Sequence, residues 1–429
     1  MFKRFVLKKL QKYVRQYFVK HPEVKLVAVV GSVGKTSTKR ALADILSQRY
    51  RIRMHEGNHN TAFSVPLAIL GIQYPSSVHN PLAWLAVFRA AAARVKQPTD
   101  VDVIIQELGT DSPGDIEAFG AYLVPDIALV TAVTPEHMEF FGTLDAVAQE
   151  ELAITQYAKF TLINRDDVES RFAAFENNPN FSTYGITNAA EYHLEQRGFS
   201  PETGYRAAVF APEFPQIFEV LVRVFGEHSL RPVMGAIAVA ARMGLAPSEI
   251  VNGVALIRPV PGRMNLLRGI NGTTIIDDTY NSSPAAAAAA LQTLYALGVE
   301  NVPQRIAVFG DMRELGNSSQ VEHEKIGGMC DPNLLAWVVT VGPESEKHLA
   351  PVARQRGCQV HVAPNAVAAG EFVRSITEEG ATILVKGSQN TIYLEECVKI
   401  LCDMTEDAQL VRQSPDWMRT KNEFFSRYK

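Results

Sequence analysis

The sequence predicts an α/β protein in which two successive domains are each built on a parallel sheet. Short apolar runs rich in β-branched residues alternate with helical segments, which is typical of doubly wound sheets. The alternation occurs in two series along the 429 residues, and a proline- and glycine-containing segment at residues 259–262 separates them. A chain of this length suits two or three domains. We therefore expect a central domain over residues 24–258, a C-terminal domain over residues 259–405 and a tail over residues 406–429.

The first series begins with the apolar run at residues 24–30, which is followed by a glycine-rich turn and a helical stretch at residues 38–50. Two further predicted strands lie at residues 101–106 and 127–132, with helical patterns between them. Because parallel strands need crossover connections, this order predicts a doubly wound parallel sheet. Residues 191–222 contain only short β-like pieces, and we expect an antiparallel edge there.

The second series contains predicted strands at residues 273–276, 305–309, 337–341 and 381–385. An alanine-rich helical segment at residues 284–297 follows the first of them. Strands and helices in this alternation predict a Rossmann-like domain. Open sheets of this kind bind ligands at the carboxyl ends of their strands.

Composition excludes several functional classes. The chain has 47% hydrophobic and 21% charged residues, which is the profile of a globular protein. A net charge of -4 does not indicate a nucleic-acid binder. The four cysteines form no C-x-x-C pair, and no apolar run approaches the roughly 18 residues that span a bilayer. We therefore expect a cytoplasmic protein with reduced thiols and no nucleic-acid partner.

The first 23 residues predict a basic amphipathic helix. Aromatic and aliphatic residues recur there at three- and four-residue spacing, and lysines and arginines lie between them with no acidic residue before Glu23. Such a helix can lie on an anionic membrane surface. It can equally pack on its own protein, with the lysines in solvent.

A second helix raises the same question. The predicted helical insertion at residues 74–99 contains an apolar helix at residues 81–96, with Trp84 and a basic end. Two interpretations stay open for residues 1–20 and 81–96. These helices either make peripheral contact with the inner face of the membrane or pack together over the sheet.

A phosphate-binding loop follows the first predicted strand. Residues 31–37 read G-S-V-G-K-T-S, and a helix comes next. In such a loop, glycines let backbone N–H groups point at phosphate oxygens, and the helix N-terminus adds positive potential. Lys35 would neutralise the β- and γ-phosphates of ATP, and the Thr36 hydroxyl would hold Mg²⁺. The full motif has a glycine two residues earlier, where Val29 stands. The predicted ATP-binding residues of the loop are Gly31, Ser32, Gly34, Lys35, Thr36 and Ser37.

This loop and seven further segments resemble the Mur ligase family, in the same order, from about residue 25 to residue 400. They are most similar to its D-alanyl-D-alanine-adding branch. The further segments are G-N-H-N with V-P-L (57–60 and 65–67), E-L-G with P-G-D-I (107–109 and 113–116), P-E-H-M-E with F-G-T-L (135–139 and 141–144), P-G-R-M (261–264), D-D-T-Y-N-S-S-P (277–284), G-D-M-R-E-L-G (310–316) and V-K-G-S (385–388).

The resemblance implies an ADP- and phosphate-forming ligase of peptidoglycan biosynthesis that uses ATP and Mg²⁺. Such an enzyme converts a carboxylate to an acyl-phosphate, and an amine then displaces the phosphate. This chemistry demands charge neutralisation and in-line positioning. The residues that the resemblance implies as catalytic are Lys35, His137, Glu151 and Arg263. The residues that it implies as metal ligands are Thr36, Glu107, His137 and Glu151.

Glu151 is a departure from the family pattern. Fourteen residues after the motif histidine, here His137, the family carries a carbamylated lysine that supports the second metal. Glutamate supplies a carboxylate without CO₂ chemistry, so we predict that Glu151 replaces the carbamate. The alternative is a glutamate on a helix surface, since Glu150 lies next to it.

The resemblance also implies residues that bind nucleotide and substrates. Arg263 would reach the γ-phosphate when the domains close. Asp277 and Asp278 would bind the ribose hydroxyls, with Tyr280 and Asn281 near the base. The residues implied to contact the carboxylate and amine substrates are Asn58, Asn60, Asp311, Glu314, Lys386 and Ser388.

The identity of the substrates stays open at this point. Only about 24 residues precede the first strand, so we expect the family's N-terminal UDP-binding domain to be absent, and the small-molecule cell-wall precursor to be either UDP-linked or lipid-linked. One alternative is a Mur-like ligase acting on a polyamino-acid or folate-type substrate. Another is a non-catalytic ATP-binding scaffold, which has no need of both metal sites. The sequence does not fix the oligomeric state.

Overall fold

A computed structural model of the protein describes residues 2–55, 57, 60–75, 80–200, 203–297, 302–389, 391–403 and 410–428. The chain forms two compact units. The first unit comprises Met1–Thr134, Phe140–Arg223 and Leu230–Ile257, and the second comprises Pro135–Glu139, Val224–Ser229 and Arg258–Lys429. Two short segments inside the range predicted for the central domain therefore belong to the second unit. Within the ranges given above, no helix has both the length and the apolarity needed to cross a membrane.

The first unit is built on a mixed sheet. Its strands in the described residues are β1 (Lys25–Val30), β2 (Ile52–Met54), β3 (Val103–Glu107), β4 (Ile127–Val130), β5 (Thr161–Asn164), β6 (Phe181–Gly185), β7 (Tyr192–Ser200), β8 (Gly204–Phe210) and β9 (Phe218–Val222). Their order is β2-β3-β1-β4-β5-β6-β7-β8-β9. The pairs from β2 to β7 are parallel, and β7-β8 and β8-β9 are antiparallel. The predicted parallel sheet and its antiparallel edge are both confirmed.

Helices cover this sheet. They are α1 (Phe2–Lys20), α2 (Lys35–Leu46), α3 (Ser64–Leu70), α4 (Pro81–Lys96), α5 (Asp115–Gly120), α6 (Met138–Phe141, which begins in the second unit), α7 (Leu144–Leu152), α8 (Leu230–Arg242) and α9 (Pro247–Val254). The prediction that the helix after the phosphate loop begins at Thr38 was wrong, because α2 begins three residues earlier, directly after the left-handed Gly34. The lysine of the loop is therefore the first helical residue.

The N-terminal helix packs on its own unit. Val6 and Leu10 of α1 form one buried cluster with Trp84, Val87 and Phe88 of α4, to which Leu67 of α3 also belongs. Phe5 meets Phe88 edge to face, and at the other end of α1 the Tyr17 hydroxyl lies 3.1 Å from that of Thr99. Of the two interpretations of these helices, the structure shows the one in which they pack together.

The second unit is an open sheet with helices on both faces. Its strands in the described residues are β10 (Asn265–Arg268), β11 (Thr274–Asp278), β12 (Arg305–Gly310), β13 (Trp337–Val341), β14 (Val360–Ala363) and β15 (Thr382–Lys386), in the order β10-β11-β15-β12-β13-β14. β10 is antiparallel to β11, and the other pairs are parallel. The α-helices are α10 (Pro284–Ala296), α11 (Ser319–Met329), α12 (Ala350–Gln355), α13 (Ala366–Ile376), α14 (Glu395–Leu401) and α15 (Pro415–Phe425).

The two faces of this second sheet carry separate cores. Side chains of α10, α11 and α12 form one buried cluster with the sheet, and side chains of α13 and α14 form the other. This arrangement confirms the predicted Rossmann-like α/β domain. α15 lies within the predicted tail, and its Lys421 is 1% exposed. Part of that tail is thus folded onto the second unit.

Candidate active site

The phosphate loop joins β1 to α2 at the carboxyl edge of the first sheet. β1 lies between β3 and β4 and runs parallel to both. Gly31 and Gly34 have left-handed backbone angles (φ 124° and 86°), and a Cβ atom at Gly31 would collide with the hydroxyl of Thr131 after β4. The Thr131 hydroxyl lies 3.0 and 2.6 Å from the carbonyl oxygens of Val30 and Val33. The glycines therefore allow the loop to curve tightly against a neighbouring strand end.

Positive potential is concentrated within the loop. Lys35, Thr36 and Ser37 form the first turn of α2, whose backbone N–H groups have no acceptor within the helix. Lys35 Nζ donates to the carbonyl oxygens of Gly31 and Ser32, the latter at 3.3 Å. The half-buried ammonium group thus lies against the inner side of the loop. A cation beside a helix N-terminus favours an anionic ligand such as a phosphate.

Glu107 connects the loop to the adjacent strand. It is the last residue of β3 and is 3% exposed. Its Oε2 accepts a hydrogen bond from the Thr36 hydroxyl at 3.2 Å, and its Oε1 lies 3.5 Å from Asn60 Nδ2. The fold therefore brings two predicted metal ligands and one predicted substrate residue together. Carboxylate and hydroxyl oxygens are ligands that Mg²⁺ prefers, so this pair fits that ion.

Lys39 is a residue of this site that the sequence analysis missed. It is 3% exposed, its Nζ lies 3.2 Å from Glu107 Oε2, and it donates to the carbonyl oxygen of Gly57 at 3.0 Å. One signal was present in the sequence, because Lys39 follows Lys35 by one helical turn. Since both lie on the inner face of α2, the pattern could have indicated a second buried cation.

Glu151 also lies at the phosphate loop. Its Oε2 accepts the backbone N–H of Gly31 at 2.7 Å, and its side chain is 2% exposed. The neighbouring Glu150 accepts the backbone N–H groups of Gly114 and Ile116, both at 2.7 Å, at the N-terminus of α5. The alternative that Glu151 is a surface residue was therefore wrong. The two adjacent glutamates secure two different segments.

In the second unit, two aspartates hold the turn that carries Arg263. Asp277 and Asp278 end β11. Asp277 accepts the backbone N–H of Gly262 at 3.1 Å, and Asp278 accepts that of Met264, also at 3.1 Å. The Arg263 guanidinium lies 4.2 Å from the centroid of the Tyr280 ring. The carboxylates thus fix the backbone on both sides of the arginine.

This pair of aspartates lies in a dry environment. Asp277 is fully buried, and desolvation raises the pKa of its carboxyl group to about 6 although Thr279 and Gly262 donate to it. Asp278 pairs with Lys386 Nζ at 2.8 Å, and Lys386 also donates to the carbonyl oxygen of Asn281 at 2.7 Å. Four residues predicted from the resemblance, Asp277, Asp278, Asn281 and Lys386, are therefore in one contact network.

Further predicted residues meet in the loops after β12 and β15. The Ser388 hydroxyl accepts the backbone N–H of Arg313 at 3.0 Å and donates to the carbonyl oxygen of Ser282 at 3.2 Å. Asp311 is 2% exposed and accepts the backbone N–H of Ser345 at 2.8 Å. These loops line a small cavity of about 30 Å³, whose lining includes Glu136, Glu314 and Ser388.

His137 lies next to Glu314 in the second unit. His137 Nδ1 is 2.8 Å from Glu314 Oε2, and this contact holds the pKa of the Glu314 carboxyl below its usual value. Both residues adopt left-handed backbone angles (φ 51° and 63°), which are uncommon for residues with side chains and concentrate at functional sites. The strain and the contact together mark this pair as a candidate functional feature.

The predicted metal ligands are divided between the units. Thr36, Glu107 and Glu151 belong to the first unit, and His137 belongs to the second. Among the described residues, no group of three or more histidines, cysteines, aspartates and glutamates is arranged to hold a metal ion. Asn58 lies outside the described residues.

Comparisons with known proteins show the family to which the chain belongs. The family model of the Mur ligase middle domain matches residues 29–240, and that of the Mur ligase glutamate ligase domain matches residues 262–389. The chain belongs to the Mur ligase family. The predictions of this family and of its α/β architecture are thereby confirmed.

Individual members of the Mur ligase family are moderately similar to this chain in sequence. The chain is 26% identical over 326 residues to the UDP-N-acetylmuramoyl-tripeptide–D-alanyl-D-alanine ligase of Bacillus subtilis (strain 168), which covers 74% of this chain and 63% of that relative. It is 26% identical over 412 residues to the Escherichia coli (strain K12) ligase of the same name, covering 93% of this chain and 80% of the relative. The structure of MurF ligase from Thermotoga maritima in complex with ADP has the same fold, with a TM-score of 0.73, 22% identity and coverage of 92% of this chain and 83% of that chain.

Proposed function

We propose that this protein is an ATP-dependent ligase that joins the carboxylate of a cell-wall precursor to an amine through an acyl-phosphate. The observation that carries the proposal is the contact of Glu107 with Thr36 and Lys39 beside the phosphate loop. This contact links the phosphate-binding loop to oxygen ligands of the kind that Mg²⁺ prefers and to a second cation, the buried Lys39. The Bacillus subtilis and Escherichia coli relatives are named for UDP-N-acetylmuramoyl-tripeptide and D-alanyl-D-alanine, and we propose the same pair of substrates here.

In the first unit, the loop would bind the triphosphate of ATP. Lys35 would exchange its contacts with the loop carbonyls for the β- and γ-phosphate oxygens, which are stronger acceptors. Thr36 and Glu107 would hold Mg²⁺, which would neutralise phosphate charge while the γ-phosphoryl group is transferred to the carboxylate. Lys39 would keep the Glu107 carboxylate oriented toward Thr36.

Glu151 would supply the carboxylate that the family obtains from a carbamylated lysine. Its contact with the Gly31 N–H supports a place beside the loop. His137 is the proposed second metal residue. Its contact with Glu314 would orient the imidazole, because a carboxylate bound to one ring nitrogen fixes the tautomer and the direction of the other.

In the second unit, Arg263 would stabilise charge on the transferred phosphoryl group. Asp277 is fully buried and already accepts two backbone N–H groups, so we assign it to holding the arginine turn more than to the ribose. Asp278, Tyr280 and Asn281 would complete the nucleotide site. The amine substrate would contact the loops after β12 and β15 at Glu314 and Ser388, and the buried Asp311 and Lys386 would support these loops.

Phosphate release coupled to amide formation tests this proposal. Purified protein with ATP and Mg²⁺ would receive UDP-N-acetylmuramoyl-tripeptide, D-alanyl-D-alanine or both. We expect phosphate and a new amide, seen by mass spectrometry, only with both substrates. A lipid-linked acceptor in a parallel reaction distinguishes the two possible carriers.

Two variants sharpen the test. Lys35→Ala should abolish both phosphate release and the amide. Arg40→Ala removes an exposed cation from the same helix and should leave both intact. Tight ATP binding without an amide from any substrate pair would contradict the ligase and leave the scaffold alternative in its place.

A further inference from the structure

A cavity of about 160 Å³ in the first unit lies beside the N-terminal helix. Leu7 and Gln11 of α1 line one side of it, and Asp115 and Tyr122, at the start of α5 and just after its end, line another. Asn60 and Asp111 are among the other residues that line it. α1 is therefore a wall of a cavity as well as a partner of α4.

The cavity adjoins the proposed site of phosphoryl transfer. Asn60 lines it, and Asn60 Nδ2 lies 3.5 Å from Glu107 Oε1. The other oxygen of Glu107 accepts the hydrogen bond from Thr36 at 3.2 Å. A carboxylate that reacts with the γ-phosphate would thus lie at the end of the cavity nearest Asn60, and the rest of its molecule would extend toward α1.

Tyr122 gives the cavity an unsatisfied hydrogen-bonding group. Its side chain is 6% exposed, and within the described part of the chain its hydroxyl has no hydrogen-bond partner. Burial also raises the pKa of this phenol well above its usual value, so it stays a neutral donor. A buried hydroxyl without a partner is costly and uncommon in native proteins, which indicates a ligand or an ordered water at this position.

α1 adds polar and positive groups along the same side. Gln11 lines the cavity, and Lys8 and Arg4 precede it by three and seven residues, so the three share a helix face. Lys8 and Arg4 are exposed. Arg15 Nη2 donates to the carbonyl oxygen of Ala121 at 2.8 Å, which attaches this face of α1 next to Tyr122. The face of α1 that contributes Gln11 to the cavity therefore also carries two exposed basic side chains toward the N-terminal end of the helix.

We propose that this cavity binds the peptide part of the carboxylate substrate and that α1 is a specificity element of the enzyme. Gln11 and Tyr122 would hydrogen-bond the peptide, and Asp111 and Asp115 would accept from its N–H or ammonium groups. Arg4 and Lys8 would bind phosphate groups of the carrier. The inference rests on the proposed function, and Gln11, Tyr122, Arg4 and Lys8 lie outside the segments that resemble the family.

Steady-state kinetics with UDP-N-acetylmuramoyl-tripeptide as the probe tests the two hydrogen-bonding residues. Gln11→Ala and Tyr122→Phe should each raise the KM for this substrate about fivefold, as expected for one lost hydrogen bond, while the KM values for ATP and D-alanyl-D-alanine stay unchanged. Gln16→Ala removes the same side chain from an exposed position of α1 and should change nothing. Tyr122→Phe should not lower the melting temperature, because the hydroxyl has no hydrogen bond to lose with the described residues.

Binding measurements separate this inference from the ligase itself. Calorimetric titration with the same probe measures its binding without turnover. A fivefold higher Kd for Tyr122→Phe therefore supports the inference even if no amide forms. Arg4→Ala combined with Lys8→Ala should weaken binding of the UDP-linked peptide more than that of the muramoyl peptide without UDP. Kd and KM values equal to wild type in Gln11→Ala and Tyr122→Phe would overturn the inference, whether or not the wild-type protein is a ligase.

Discussion

Two groups of buried charged side chains, one in each unit, make different kinds of contact. Beside the phosphate loop, Glu151 is held by a backbone N–H and Lys35 by backbone carbonyl oxygens. In the second unit, Glu395 at the start of α14 is fully buried. Its carboxylate accepts hydrogen bonds from Arg412 Nε at 2.8 Å and Nη2 at 2.7 Å, and Lys421 Nζ lies 3.5 Å away. These contacts of Glu151 and Lys35 are with neutral backbone groups, and Lys39 and Glu107 add an ion pair beside the loop, whereas the contacts of Glu395 form a network of opposite charges.

This difference separates charges that can serve a ligand from charges that serve the fold. A cation held by neutral carbonyls can exchange them for phosphate oxygens at little cost, because the carbonyls are left uncharged. A buried ion network has no such freedom, since removing one member leaves an uncompensated charge in a dry environment. Arg412 also donates to the carbonyl oxygens of Tyr280 and Thr279 at 3.0 and 2.6 Å. The network thus joins the segment before α15 to the loop after β11.

The largest expected effect is on activity and comes from the loop. Lys35→Ala should lower the turnover number by about 10⁴-fold, as expected when a cation that stabilises a transferred phosphoryl group is removed. The free energy of unfolding should change by less than about 1 kcal/mol, because the lysine is half-buried and the loop carbonyls that it contacts are neutral groups. Turnover and chemical denaturation of the same preparation measure both. A large loss of stability in this variant would break the distinction between the two regions.

The converse effect is expected from the ion network. Lys421→Met should lower the free energy of unfolding by about 3 kcal/mol, because Glu395 and Glu396 lose a buried partner. Activity per folded molecule should stay close to wild type. Arg419→Met on the same helix removes an exposed cation and should be neutral for stability. Urea denaturation followed by activity measurement at low denaturant makes the comparison.

Which features of the fold and of the site could be predicted depends on whether they involve neighbouring residues or distant segments of the chain. Strands such as β1 are predictable because five of its six residues are buried on both sides of a parallel sheet and read as one apolar run. The loop glycines are predictable because their backbone angles admit few other residues. Features of this kind are predictable because they depend on residues that are neighbours in the sequence.

Contacts between distant segments were not predictable in the same way. Lys39 and Glu107 meet only because β1 and β3 are adjacent in the sheet, and Glu395 meets Lys421 only after α15 folds back. Tyr122, whose hydroxyl has no hydrogen-bond partner among the described residues, likewise lines a cavity together with α1 residues that are distant in the sequence. The roles of Glu151 and Arg263 came from the resemblance, because an isolated glutamate or arginine carries no sequence signal of its own.

Asp277 in the second unit is expected to make the free energy of unfolding depend on pH. Burial raises its pKa to about 6 in the folded protein, against about 3.9 for an unfolded aspartate, so the folded state binds this proton more tightly. Its stabilising contribution is complete below about pH 3.9 and is lost as the pH rises through 6. Asp277→Asn should therefore remove about 2 kcal/mol of pH dependence from the unfolding free energy between pH 4 and 7.

Denaturation of wild type and Asp277→Asn across that range measures the difference, with Asp416→Asn, an exposed aspartate on α15, as the control. Parallel pH profiles for wild type and Asp277→Asn would show that Asp277 ionises normally. In that case the second unit would hold the ionised Asp277 carboxylate on neutral donors, and the difference between the two regions in how buried charges are satisfied would be smaller.

The smallest effect is expected at Glu151, a buried carboxylate that accepts a backbone N–H of the loop and is also proposed to support a metal ion. Glu151→Gln keeps an oxygen that can accept the Gly31 N–H, so the fold should lose less than about 1 kcal/mol. Activity should fall about tenfold, because only the negative charge is gone. Glu151→Lys restores the residue that the family carries at this position, and bicarbonate can convert that lysine to a carbamate. Turnover of Glu151→Lys should therefore rise with added bicarbonate, whereas that of Glu151→Gln should not. Equal turnover of both variants with and without bicarbonate would show that the carboxylate serves the loop backbone alone.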